Sequence, residues 1–245
     1  MRVAMRIMLY IVILAVTPII GCKSTVEPHS MQPTEGYPFT TDINEIKSIL
    51  KHRCIDTIDL KNGQVIADIG AGNGYIEAML AMFNDSITFY IQDIDTTVCN
   101  ETEVNKVLNY YEEVNGKPFT CKFITVNGND TDTNLPDDTF DKILMLWTYP
   151  YLKDPISFIK DIKGNLKDDG LFYVINPRIE ESEHTKSLRE ETGWNASTME
   201  EQIDDITSCG FSLIRIARNY DAGEYQEPVI MIFRKTITSP NMRYN

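Results

Sequence analysis

From Asp42 onward the apolar residues recur at two alternating periods. Ile43, Ile46, Ile49 and Leu50 share one face at helical spacing, and Thr40 or Thr41 stands ready to cap it, which predicts a helix over 42–58. Lys61-Asn62-Gly63 then marks a turn. Apolar runs of strand length follow at 64–69, 86–92, 119–126, 142–147 and 171–176, rich in β-branched and aromatic residues. Helical stretches at 75–83, 97–115 and 155–166 fall between them. Ser197 and Glu200 form the pattern of a capping box, opening a helix to about 209. Two further strands, 211–217 and 229–233, close the domain with no helix between them. Alternating strand and helix imply an α/β domain with helices on both faces of a mostly parallel sheet. The missing last helix implies that the final strand runs antiparallel.

The most informative stretch is Val65-Ile66-Ala67-Asp68-Ile69-Gly70-Ala71-Gly72-Asn73-Gly74-Tyr75. An apolar strand ends in an acid, glycines stand at every second position, and a helix begins at once. Glycine allows sharp backbone turns and lets a ligand lie against the main chain. Dinucleotide binders space their glycines G-x-G-x-x-G, so that a pyrophosphate meets the helix N-terminus. The spacing here is G-x-G-x-G, and no basic residue stands nearby for a phosphate. A ligand with a cationic amino acid end fits better, with the acceptor-only carboxylate of Asp68 facing its positive side.

This segment resembles the first motif of the class I methyltransferases, D-x-G-x-G-x-G, and the resemblance extends over roughly 42–235. It implies a Rossmann-like doubly wound sheet of seven strands, with S-adenosylmethionine as cofactor. Gly70, Ala71, Gly72 and Gly74 would form the cofactor loop. The second strand ends Tyr90-Ile91-Gln92-Asp93-Ile94-Asp95. In the family an acid there takes both ribose hydroxyls, a role that falls to Asp93, beside Ile94, with Asp95 as the alternative. After the third strand, Val126-Asn127-Gly128-Asn129-Asp130 resembles the segment lining the adenine, with Asn129 or Asp130 in place of the acid that accepts from its amino group. Leu166-Lys167-Asp168-Asp169-Gly170 resembles the family's turn before strand five, but lacks its proline and one glycine. A subset of secreted bacterial methyltransferase-like proteins is also similar, although the histidines that follow its tyrosine are replaced here by Pro150 and Tyr151.

Trp147, Tyr149 and Tyr151 follow the fourth strand, where ligands of open α/β sheets bind. Trp147 is a candidate wall for the cofactor or a core residue, and Tyr149 is the candidate catalytic hydroxyl. The polar stretch 178–195, with His184, is a candidate lid or a solvated loop.

The N-terminus changes the picture of where the domain works. Arg2 and Arg6 precede an apolar run from Ile7 to Ile20 that is too short to span a bilayer and fits a secretory signal. Ile19-Ile20-Gly21-Cys22 resembles the bacterial lipobox, which implies cleavage before Cys22 and its lipidation. The expected organisation is a signal peptide at 1–21, a Pro-, Ser- and Thr-bearing tether at 22–39, and the methyltransferase-like domain at 40–245. The expected location is the bacterial cell envelope, outside the cytoplasm.

Composition adds exclusions. The net charge is −13, and no basic run occurs after residue 25, so nucleic acid is not expected as a substrate. Cys54, Cys99, Cys121 and Cys209 lack C-x-x-C spacing and read as buried thiols. His29, His52 and His184 are scattered, so no metal site is expected. The function expected is methyl transfer from S-adenosylmethionine to a small-molecule or protein acceptor. The alternatives are a catalytically degenerate binding module, suggested by a compartment poor in the cofactor, and a nicotinamide-dependent oxidoreductase.

Overall fold

The computed structural model describes residues 40–53, 55–177, 197–218 and 228–236. The signal peptide, the tether with Cys22, Cys54, and the 178–195 stretch with His184 lie outside the described residues.

The chain runs α1 (Ile43–His52), β1 (Val65–Ile69), α2 (Tyr75–Ala81), β2 (Thr88–Asp93), α3 (Glu101–Asn115), β3 (Lys122–Asn127) and β4 (Phe140–Leu146). It continues with α4 (Pro155–Asn165), β5 (Leu166–Pro177), α5 (Met199–Ser208), β6 (Phe211–Arg218) and β7 (Pro228–Lys235). One sheet holds all seven strands in the order β3-β2-β1-β4-β5-β7-β6. The pairs β1–β2, β1–β4, β2–β3 and β4–β5 are parallel; β7 is antiparallel to both β5 and β6. The architecture is the Rossmann-like one expected, with the final strand reversed.

Side-chain alternation divides the core. Ile66, Leu144, Tyr173 and Ile175 pack with Ile46, Leu50, Met79, Val107 and Tyr111 of α1, α2 and α3. Their strand neighbours Ala67, Ile143, Met145, Phe172 and Val174 pack with Phe158, Ile159, Ile162 and Ile206 of α4 and α5. Strands covered on both faces must be apolar at successive positions, which is why β1 is apolar at all but Asp68 and β4 from Ile143 to Leu146.

Several boundaries differ from the sequence reading for local reasons. The N-cap of α1 is Asp42, not Thr40 or Thr41, because its carboxylate accepts from Asn44 N–H at 2.8 Å. That helix ends at His52, short of residue 58, and Ile43 is 44% exposed, off the buried face. Asn100 caps α3 by accepting from Glu103 N–H, so the helix starts later than residue 97. The capping box of α5 is one residue further on than expected. Thr198 Oγ1 accepts from Glu201 N–H at 3.2 Å and Glu201 Oε2 accepts from Thr198 N–H at 2.7 Å. The Asp168-Asp169-Gly170 turn is absorbed into β5 as an irregularity: Leu166 pairs with Phe140, and the next pair is Leu171 with Lys142. Cys99, Cys121 and Cys209 are buried free thiols.

This topology creates one place for a ligand. From β1 the chain winds outward through β2 and β3, then crosses to β4 on the other side of β1. The loops leaving β1 and β4 therefore diverge and open a crevice at their C-terminal ends.

Candidate cofactor site

The crevice is a cavity of about 400 Å³ lined by the loops after β1, β2, β3 and β4. Its floor is the glycine loop. Gly70, Gly72 and Gly74 have φ of +73°, +57° and +76°, a left-handed conformation that side chains disfavour. A Cβ at Gly70 would overlap the Thr148 side chain, so glycine is required there for packing as well. The N–H groups of Gly70 and Ala71 donate to Gln92 O at 2.8 and 3.0 Å, tying the loop to the end of β2.

Asp93 closes that link. Its Oδ2 accepts from Gly72 N–H at 2.9 Å, and its Oδ1 accepts from Asp95 N–H at 2.9 Å. A carboxylate offers about four lone-pair sites, so both oxygens keep acceptor capacity towards the cavity they line. Asp95 does not line the cavity: its Oδ1 accepts from the hydroxyl and N–H of Thr97 at 2.6 and 2.8 Å, which lowers its pKa. Of the two acids, Asp93 is the one that lines the cavity.

Asp68 also lines the cavity and is buried, with Oδ1 lacking a hydrogen-bond partner among the described residues. Burial, followed by the neighbouring Glu77 carboxyl, pushes its pKa well up. Trp147 forms the facing wall with φ +59°, a left-handed conformation costing about 1 kcal/mol or more for a residue with a Cβ. The Arg53 guanidinium stacks on the Trp147 and Tyr75 rings, 5.0 and 5.5 Å from their centroids, and its Nη1 donates to the Tyr75 hydroxyl.

Asp68, Gly70, Ala71, Gly72, Asp93, Ile94, Asn129, Asp130 and Trp147 thus come together around one cavity. Two predicted site residues do not join them. Gly74 is the N-cap of α2, where its left-handed φ turns the chain into the helix. Tyr149 does not line the cavity and is fully buried in the core that packs on α4 and α5, with its hydroxyl donating to Asp205 Oδ2 at 2.8 Å. Burial and that carboxylate raise its pKa, so it is a packed structural phenol rather than a catalytic hydroxyl. Asn129 lines the cavity, but its Oδ1 accepts from Thr131 N–H, the Thr131 hydroxyl and Asp132 N–H, which occupies the oxygen expected to meet an amino group. Asp130 is paired with Lys153 at 2.6 Å. Arg53, Tyr75, Thr148 and Lys153 were not singled out from sequence. Arg53 follows α1, far along the chain from the loops it joins, and no local motif marks it.

Residues 67–174 match the family profile described as a methyltransferase domain. That stretch, from the middle of β1 to β5, is what the chain shares with the family; it takes in the glycine loop and the ends of β2, β3 and β4. S-adenosylmethionine is the cofactor of such domains, and the donor set fits it: a carboxylate at the end of β2 with acceptor capacity left for hydroxyls, a second carboxyl with an unpartnered oxygen for an ammonium, and main chain bared by glycine between them. The fold is shared with solved structures of low identity. A SAM-dependent methyltransferase from Aquifex aeolicus is 20% identical with a TM-score of 0.52, over 78% of this chain and 98% of that one. A SAM-dependent methyltransferase from Methanosarcina mazei is 17% identical with a TM-score of 0.54, over 75% and 97%. Phosphoethanolamine N-methyltransferase 2 from Haemonchus contortus, solved with phosphomonomethylethanolamine and S-adenosylhomocysteine, is 14% identical with a TM-score of 0.56, over 79% and 53%. At these identities the likeness speaks for the fold. No curated protein sequence matches the chain.

Proposed function

We propose that the protein is an S-adenosylmethionine-dependent methyltransferase acting on a small-molecule or protein acceptor, held by a lipid on Cys22 at the outer side of a bacterial membrane. The observation that carries the enzymatic reading is the Asp93 carboxylate, fixed by Gly72 N–H on the cavity wall with acceptor capacity left over. When bound, the cofactor supplies an activated methyl group. The chain's own residues bind and orient. Asp93 takes the ribose hydroxyls, Asp68 faces the ammonium, and the N–H and Cα groups of Gly70–Gly72 lie against the nucleoside. Trp147 and the exposed Tyr151 narrow the approach beside Arg53 and exclude water from the reacting side. Holding two reactants in line is the principal contribution such a domain makes.

Isothermal calorimetry with S-adenosylhomocysteine tests the reading. The protein should bind it, and Asp93→Ala should weaken binding by at least tenfold. Absence of heat and of thermal shift at millimolar ligand would sink it. Binding without transfer of labelled methyl to any envelope component is the outcome expected of a degenerate binding module. The anchor is tested by incorporation of labelled palmitate, which Cys22→Ala should abolish.

A further inference from the structure

Beneath the glycine loop lies a second carboxyl that the cofactor site does not use. Glu77, in the first turn of α2, is wholly buried, and neither of its oxygens has a hydrogen-bond partner among the described residues. It does not line the cavity, but Asp68 does. The two carboxyls lie within hydrogen-bonding reach of each other. Both are acceptors when ionised, so the hydrogen that can join them is a carboxylic one. Neither forms a salt bridge among the described residues. The other ionisable groups that act on them are Asp93 from β2 and, beyond it, the thiol of Cys99 ahead of α3. Arg53 shares the cavity, but it is engaged by Tyr75 and Trp147. Two buried like charges with no countercharge cannot both ionise cheaply.

We propose that Asp68 and Glu77 hold one proton between them in the ligand-free protein and give it up to solvent when an aliphatic ammonium docks on Asp68. Glu77 is then a positioning residue: it never touches the ligand but sets the charge of the group that does. The balance is simple. A carboxylic acid and a carboxylate plus a ligand ammonium become two carboxylates, Asp68 against the ammonium and Glu77 behind it, and one proton passes to the buffer. The inference rests on the cofactor reading, since the amino acid end of the cofactor supplies the ammonium.

Two measurements test it. Calorimetry with S-adenosylhomocysteine at neutral pH, in buffers of different ionisation heat, reads protons released on binding; about one per site is expected. 5′-Methylthioadenosine, which lacks the amino acid end, should release none. Glu77→Gln should still bind S-adenosylhomocysteine, with the release lost. Binding with no release, equal release for both ligands, or unchanged release in Glu77→Gln overturns the proposal. Infrared difference spectroscopy of ligand-free protein reads the proton directly. The carbonyl stretch of a protonated carboxyl should be present at neutral pH and absent in Glu77→Gln. Its absence from the wild type overturns the proposal even where no ligand binds. Its presence without binding overturns the cofactor reading and leaves the proton pair standing. Should Glu77→Gln fail to fold, the wild-type comparison of the two ligands decides alone.

Discussion

Gly70 carries two constraints at once, and they separate in experiment. Its φ of +73° disfavours any side chain, and a Cβ would also strike Thr148. Gly63 has a similar φ of +84° but open space around it. Gly63→Ala should therefore cost about 1 kcal/mol, the conformational penalty alone. Gly70→Ala should cost ~2 kcal/mol or more, since overpacking is added, and should also lose cofactor binding. Paired denaturant melts of the two variants check this; equal losses would show that Thr148 yields. Tyr149 makes the complementary case. Tyr149→Phe removes a hydrogen bond to the half-buried carboxylate of Asp205 and should destabilise by about 1 kcal/mol. Because the phenol lies off the cavity, S-adenosylhomocysteine affinity should be unchanged, and a tenfold loss would restore Tyr149 to the site.

Elements were legible where the chemistry is local and illegible where it depends on chain direction. The strand–glycine–helix segment and the acid ending β2 could be read because backbone geometry demands those residues within a few positions of one another. The caps were readable in kind but not in register. Ser197-Thr198 followed by Glu200-Glu201 allows two capping boxes, and packing of α5 chooses the second. Thr198→Ala should cost about 1 kcal/mol in a thermal melt, with Ser197→Ala nearer neutral at the cap. Tyr149 was misread for a geometric reason. Strand alternation carried past β4 would aim it into the crevice, but Trp147 takes a left-handed φ and a 3₁₀ turn over Tyr149–Tyr151 follows. Those two events turn Tyr149 inward and leave Tyr151 outside. No sequence period encodes a single left-handed tryptophan. Arg53 escaped notice because its rings come from α2 and β4, which only the fold brings to the end of α1.

At the scale of the whole molecule, the buried pair makes stability depend on pH in the sense opposite to ordinary acid denaturation. The folded pKa values of Asp68 and Glu77 are both raised, by burial first; Glu77 pushes that of Asp68 up further, while the hydrogen bond with Asp68 opposes the rise at Glu77. In the unfolded chain both titrate near the usual carboxylate value of about 4. Between the unfolded and folded values the native state binds more protons than the unfolded one, so stability falls as pH rises through that window. Asp95 and Asp154 act the other way: their pKa values are lowered by bonds from Thr97 and Ser157, and their contribution is lost as pH falls. Both are exposed, and solvent screening keeps their share small. Self-repulsion within a chain of net charge −13 also grows with pH, but it is common to closely matched variants. The comparison of wild type with Glu77→Gln therefore isolates the pair. Glu77→Gln should melt several degrees higher than wild type at neutral to alkaline pH, and the gap should close as pH falls towards the unfolded carboxylate range. Melts across that span check it: a gap that stays constant would mean that Glu77 acts through packing, and a gap that widens in acid would mean that the carboxyl is ionised in the native fold.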